Sequence, residues 1–374
     1  MRGTPRSRIL RWAAPAAAVA VVAVAASGAL TAGADPPLPP KTAAALLVDL
    51  QHPDLTGLSG TVVQKSDLGL PLPNVSSNVG NETLASLLTS SHTVRVWNAG
   101  TTKQRLALLS MLGESDLVRN GRDVWLWSSG SRTATHYLLP VSAPNELTPA
   151  PMQPGLTPQD AADAALRAID PTTAVSTDGT RSVAGRAAYE LVLGPRDTRS
   201  LVGQVRLAVD AETHLPLRVQ VYGRDTGAGP AFEVGYTRIS YARPGDEHFR
   251  FSVPDGVNVR EGDLGDLNGG SAQPHRHPGA EPGAATAEGM RTVGDGWTAV
   301  AVIDGVQPPG RSADRAGFGR ELAAVLDRLP QVSGTWGHGR LLTSTLLSAL
   351  LTDDGRLLVG AVSPDLLYAA ARQR

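Results

Sequence analysis

The sequence has no cysteine. This excludes disulfides, thiol catalysis, cysteine-ligated zinc and a lipid-modified N-terminal cysteine. Lysine is scarce, with only Lys41, Lys65 and Lys103 among 374 residues, which leaves little room for lysine-based catalysis. There is no basic excess either: 34 basic residues face 35 acidic ones, a net charge of −1. Phosphate neutralisation needs such an excess, so a nucleic-acid partner is excluded.

Catalytic signatures are missing as well. No G-x-S-x-G, S-x-x-K, H-E-x-x-H or G-x-x-x-x-G-K-[ST] occurs. Gly317-Phe318-Gly319 precedes a helical pattern, but no strand feeds it, so it is no dinucleotide fingerprint. Asp353-Asp354-Gly355 lacks the rest of a calcium loop and reads as a turn. His275 and His277 form an H-x-H without further ligands on a firm scaffold, so no metal or cofactor is assigned. Asp160 and Asp163 read as capping and solvated helix residues. The chain is therefore read as a non-enzyme.

What is present points to an exported protein of two units. The apolar fraction of 41% is enough for packed cores, and the length suits two domains. Arg2, Arg6, Arg8 and Arg11 precede an uncharged Ala- and Val-rich run from Trp12 to Ala34 that ends in Ala32-Gly33-Ala34. This is the layout of a signal peptide over residues 1–34, or of an uncleaved signal anchor. Both place the rest of the chain outside the cytoplasm, secreted or membrane-anchored. Loss of the four leader arginines from 34 leaves 30 basic residues against 35 acidic ones, a net of −5.

Helical spacing covers 42–52, with Thr42 as N-cap, and 157–169, with Thr157 as N-cap and Pro158 at N1. Strand character marks 58–65, 92–98, 103–110, 115–119, 122–128 and 132–139, then 183–193, 202–210, 215–222, 231–242 and 248–253. Asn120-Gly121 predicts a hairpin. The stretch 66–80 reads as a flap-like loop, and the Gly/Ala/Pro-rich stretch 259–290 as a linker. A small unit at 291–374 is expected to hold a strand over 297–303, a helix over 320–329, a long strand over 340–351, a strand over 357–362 and a last helix capped by Ser363. Helices and strands in this order give an α+β class.

Apolar patterning is the most informative feature. In Arg122–Trp127, Val124 and Leu126 point one way and Trp125 and Trp127 the other, so both faces are apolar. Such a strand is covered on both sides or faces an apolar cavity. Composition alone favours an ordinary core between the sheet and the two helices over a cavity.

Several segments resemble the LolA/LolB family and its RseB/MucB relatives. They are Leu58-Ser59-Gly60-Thr61-Val62, Thr93-Val94-Arg95-Val96, Asn120-Gly121-Arg122-Asp123-Val124-Trp125 and Val183–Leu191. The run Val209–Leu217 carries Asp210, Thr213, Pro216 and Leu217 of a strand–turn–strand motif, and Phe249–Gly256 resembles a closing strand. The likeness covers about residues 41–258 and is greatest to exported LolA-like proteins of actinobacteria, with sporulation lipoproteins of the same fold further off. It implies a strongly curved antiparallel sheet, an incomplete β-barrel with a helical lid and an apolar cavity; the small C-terminal α+β domain at 291–374 is a unit that simple carriers of this fold lack. It also implies lipid or lipoprotein acyl chains as ligands, held without covalent chemistry. The cavity candidates are Val94, Val96, Trp97, Leu106, Leu108, Trp125, Trp127, Leu191, Val205, Leu207, Val219 and Val221. Alternation alone leaves open which parity faces inward. RseB-type relatives have a second domain that contacts an anti-sigma factor, so a membrane protein partner for residues 291–374 is the alternative function. A mass spectrum of the exported protein is expected to begin at Asp35; a full-length mass would show an uncleaved anchor.

Overall fold

The computed structural model describes residues 38–51, 55–70, 91–110, 113–140, 157–224, 229–263, 290–306, 326 and 328–373. The leader, most of the 66–80 loop, His275 and His277 with most of the linker, and most of the expected 320–329 helix lie outside the described residues.

The larger unit is a 12-stranded sheet built from two meanders that share a central strand. β1 (Leu58–Ser66) pairs with β2 (His92–Asn98) on one side and β11 (Phe232–Ser240) on the other. From β2 the sheet runs through β3 (Lys103–Ser110), β4 (Gly113–Asn120), β5 (Asp123–Ser128) and β6 (Thr133–Leu138). From β11 it runs through β10 (Pro216–Gly223), β9 (Val202–Asp210), β8 (Arg186–Pro195) and β7 (Thr173–Val183). Every one of these pairs is antiparallel, and β12 (Asn258–Glu261) adds in parallel to β6. β7 and β12 are the two edges, so the curved sheet stays open and does not close into a barrel.

Local chemistry sets the turns. Gly121 adopts φ +65° in the two-residue connection that pairs Asn120 with Asp123. At the β9–β10 turn the Asp210 carboxylate accepts the Glu212 and Thr213 N–H groups, each at 2.9 Å, Arg186 Nε at 2.9 Å and the Tyr241 hydroxyl at 2.9 Å. Burial by itself would raise this carboxyl; Arg186 and the three other donors outweigh it and hold it at about 2. The aspartate of the strand–turn–strand motif is thus a structural anchor. In β1, a Cβ on Gly60 would stand 2.8 Å from the Tyr236 ring, so only glycine admits that ring.

Two short helices lie on one face of the sheet. α1 (Ala43–Asp49) is capped by Thr42, whose Oγ1 accepts the Ala45 N–H at 3.2 Å, and it packs over β7 and β8. α2 (Pro158–Arg167) starts at Thr157, whose Oγ1 accepts the Asp160 N–H at 3.2 Å and donates to the Asp160 carboxylate at 2.7 Å. It packs over β10 and β11.

The smaller unit is a six-stranded sheet in the order β13 (Met290–Val293), β14 (Val300–Ile303), β18 (Leu357–Gly360), β17 (Ser348–Thr352), β16 (Gly337–Thr343) and β15 (Gln331–Gly334). α3 (Pro364–Ala371) covers one face, and Val300, Val302, Leu350, Leu358 and Leu367 form the core between them.

Four segments differ from expectation. The strand expected at 183–193 is a hairpin, because Ala184 at φ 50° and Gly185 at φ 78° turn the chain between β7 and β8. β7 lacks a sequence signal because it is a wet edge strand broken at Asp178-Gly179. Residues 246–249 form a 3-10 turn, not the start of a closing strand, and the added strand is Asn258–Glu261. The long strand expected at 340–351 is β16 and β17, separated by a turn in which Ser344 N–H donates to Leu347 O at 2.9 Å.

Replacing Asp210 with asparagine removes a carboxylate held below its unfolded value. Its contribution, about 2 kcal/mol, is present above pH ~4 and lost as pH falls toward ~2. Urea unfolding of Asp210→Asn against the wild type should show that gap at neutral pH and a shrinking one at acid pH; a pH-independent gap would contradict the assignment.

Candidate functional site

The face beneath α1 and α2 is continuous and apolar. Cross-strand register aligns Val62 with Val94, Val94 with Leu108, Val96 with Leu106, and Leu106 with Leu117. In the other meander it aligns Leu191 with Leu207, Leu207 with Val219, and Val219 with Val234. Directly opposed residues point to the same side of a sheet, so these rows form one surface. Val94, Leu191 and Leu207 are fully buried there, with Leu46 and Leu50 of the α1 region and Ala162 of α2 in the same cluster.

Nine of the twelve cavity candidates share this inner face: Val94, Val96, Leu106, Leu108, Leu191, Val205, Leu207, Val219 and Val221. Trp97, Trp125 and Trp127 do not, and they are the correction to the expected set. Trp97 opposes Arg105, Trp125 opposes His136 and Trp127 opposes Ala134, all on the outer face. Trp97 stacks on His248 at 5.5 Å and lies 5.4 Å from the Arg105 guanidinium. Trp125 stacks on His136 at 4.5 Å and on Phe251 at 5.0 Å. The segment 246–251 therefore covers the outer side of the first meander, which is why β5 is apolar on both faces. His136 also sits between Asp123, at 2.9 Å from its Nε2, and Glu261, at 3.1 Å from its Nδ1, joining β12 to its neighbours.

Polar groups enter the inner face sparingly. Arg119 follows Leu117 on the same side of β4; it is 4% exposed, and burial lowers its guanidinium from the ordinary value. Its Nε donates to Gly121 O at 3.2 Å. Gln64 and His92 oppose each other near the other end, and both are buried. Sequence reasoning did not single out these three, because a lone Arg, Gln or His in a strand carries no face label until register is known. Among the described residues no group of three or more His, Asp or Glu is placed to hold a metal ion, and no helix is long and apolar enough to cross a membrane.

α2 meets the face mainly through small side chains. Ala162 is fully buried, while Ala161, Ala165, Leu166 and Ile169 are partly buried against the cluster. An alanine in place of a leucine forgoes contacts worth about 2 kcal/mol. The helix thus covers a wide apolar surface while being held to it weakly.

Residues 84–228 match the family model described as the MucB/RseB N-terminal domain. That stretch is similar to the MucB/RseB N-terminal domain. The matched region runs from just before β2 to just past β10 and includes α2. Among solved structures, the Pseudomonas aeruginosa MucA/MucB complex contains a chain 16% identical, with 88% of this chain and 96% of that one covered and a TM-score of 0.42. The Mycobacterium tuberculosis lipoprotein LppX is 9% identical, covering 56% of this chain and 99% of that one, with a TM-score of 0.28. A LolA superfamily protein of Nitrosomonas europaea is 11% identical, covering 57% and 99%, with a TM-score of 0.23. These three are likenesses of fold only, and the family likeness rests on the model matched over residues 84–228. No curated protein matches the chain.

The face assignment predicts a sharp contrast in stability. Leu207→Ala, in the fully buried inner row, should cost about 2–5 kcal/mol in urea unfolding. Arg95→Ala, exposed on the outer face, should change stability by less than about 0.5 kcal/mol. Equal costs would contradict the two-faced assignment.

Proposed function

We propose that the protein is a non-enzymatic, extracytoplasmic binder of lipid or lipoprotein acyl chains, acting as a carrier of the LolA type. One observation carries this reading: the continuous, largely apolar inner face that spans both meanders, with two short helices over the second, of which α2 is attached largely through alanines. Each methylene moved from water onto such a face contributes about 0.8 kcal/mol, so one acyl chain supplies most of the affinity without any catalytic group. The ligand takes the place of the weakly held lid against the sheet. The nine inner-face candidates line the site, and the three tryptophans support it from behind. The leader-like N-terminus and the family match support a location outside the cytoplasm.

A second reading is favoured by the match to the MucB/RseB model. In it the protein is an envelope regulator that holds a membrane protein partner through residues 291–374, and the P. aeruginosa structure is of MucB with MucA. Deletion of 291–374 separates the two: loss of a captured envelope protein with acyl binding retained favours the regulator.

The carrier reading is tested by displacement of a fluorescent fatty acid from the purified protein. Wild type should bind the probe, and Val219→Trp, which fills the inner face, should weaken binding at least tenfold while far-UV circular dichroism is unchanged. Trp127→Ala on the outer face should leave the affinity within about threefold of wild type. A wild type that takes up no probe would overturn the reading.

A further inference from the structure

One end of the inner face is built by the second unit. The turn Ser344–Leu347 between β16 and β17 is closed by Ser344, whose N–H donates to Leu347 O at 2.9 Å and whose Oγ accepts the Leu347 N–H at 3.1 Å. Thr345 then touches the large sheet at two places. Its N–H donates to Leu68 O, just past β1, at 2.9 Å. Its Cγ2 stands 2.6 Å from where a Cβ on Gly223, the last residue of β10, would be. Glycine at 223 is therefore what allows the turn to seat.

A second contact holds the same end. Leu201 N–H donates to Ala361 O at 2.8 Å and Ser200 Oγ to the same oxygen at 3.1 Å, so the β8–β9 connection is tied to the end of β18. Leu68, Gly223 and Ser200–Leu201 all lie at the end of the strands where Val205 opposes Val221 and Val221 opposes Phe232. Leu346, next to Thr345, packs against the apolar cluster of the large sheet. The position is fixed by backbone hydrogen bonds on both flanks, whereas α2 rests on the face mainly through small side chains.

We propose that the Ser344–Leu347 turn is the floor of the acyl-binding trough and that Leu346 is a specificity-determining residue for ligand chain length. This rests on the acyl-binding reading above. A trough that ends on a fixed apolar side chain favours the chain that just reaches it. A shorter chain leaves apolar surface without a partner, and a longer one leaves methylenes in water. The second unit would then select ligands without contributing to the walls of the site.

The test uses the full exported chain and straight-chain fatty acids from decanoic to eicosanoic, each competing with a fluorescent acyl probe. Wild type should show an affinity optimum at one length. Leu346→Ala, which recedes the floor, should move that optimum to longer acids and change the long-to-short affinity ratio at least threefold. Leu346→Trp should move it to shorter acids. Gly223→Val, which unseats the turn from the large sheet's side, should act like Leu346→Ala and covers the case in which a Leu346 variant fails to fold. An optimum unmoved in the folded variants, with binding retained, overturns the floor assignment and leaves the acyl-binding reading intact. A wild type that binds none of the acids overturns both.

Discussion

An open sheet with one largely apolar face must be covered by something other than itself. A closed barrel satisfies its edges and encloses its own interior; this sheet, with β7 and β12 as separate edges, does neither. Its cover is divided among parts of the chain that differ in strength. α1 contributes leucines, α2 contributes mostly alanines, and the second unit contributes a turn locked in place by backbone hydrogen bonds. The face is therefore firmly closed at one end and loosely covered in the middle. That gradient is what the proposed exchange of an apolar ligand for part of the lid would need.

The two faces of the sheet divide their chemistry cleanly. On the outer side of the second meander, Glu190 is nearly buried and accepts from Arg206 at 2.6 Å, with Arg181 and Arg218 within 3.7 Å. On the outer side of the first meander, tryptophans lie beneath the 246–251 segment. Such ionic and aromatic fittings stiffen the wall while leaving the inner face aliphatic. Asp210 does the same at the β9–β10 turn, where a buried carboxylate with donors from four residues fixes the geometry between two inner rows. Its place in the motif is explained by turn architecture.

The proposed binding by burial asks for no catalytic signature. An apolar trough needs shape and dryness, not nucleophiles or metal ligands, and its selectivity comes from dimensions. The second unit then has a reason to be docked where it is. Its interface with the large sheet includes the indole N–H of Trp297, which donates to the buried Thr173 hydroxyl at 2.8 Å at the start of β7. Docking therefore reaches from the edge strand to the central strands and spans the end of the trough.

Much of this was legible in the residues. Thr42, Thr157 and Pro158 announced both lid helices, Asn120-Gly121 announced its hairpin, and the strand character of 202–210 and 215–222 announced β9 and β10. The segments that misled have a common cause. β7 is polar because it is an edge, and the turn at Ser344–Leu347 hides in an apolar run because Leu346 is buried by the other unit. The tryptophans of β2 and β5 stood among the cavity candidates beside residues of the opposite face because alternation gives a period and not a sign. Sequence determined which residues alternate; the register between strands, together with the side on which helices and the 246–251 segment happen to pack, decided which of the two faces is the inner one. No local propensity carries that information, since both faces of β5 are equally apolar until a neighbour covers them.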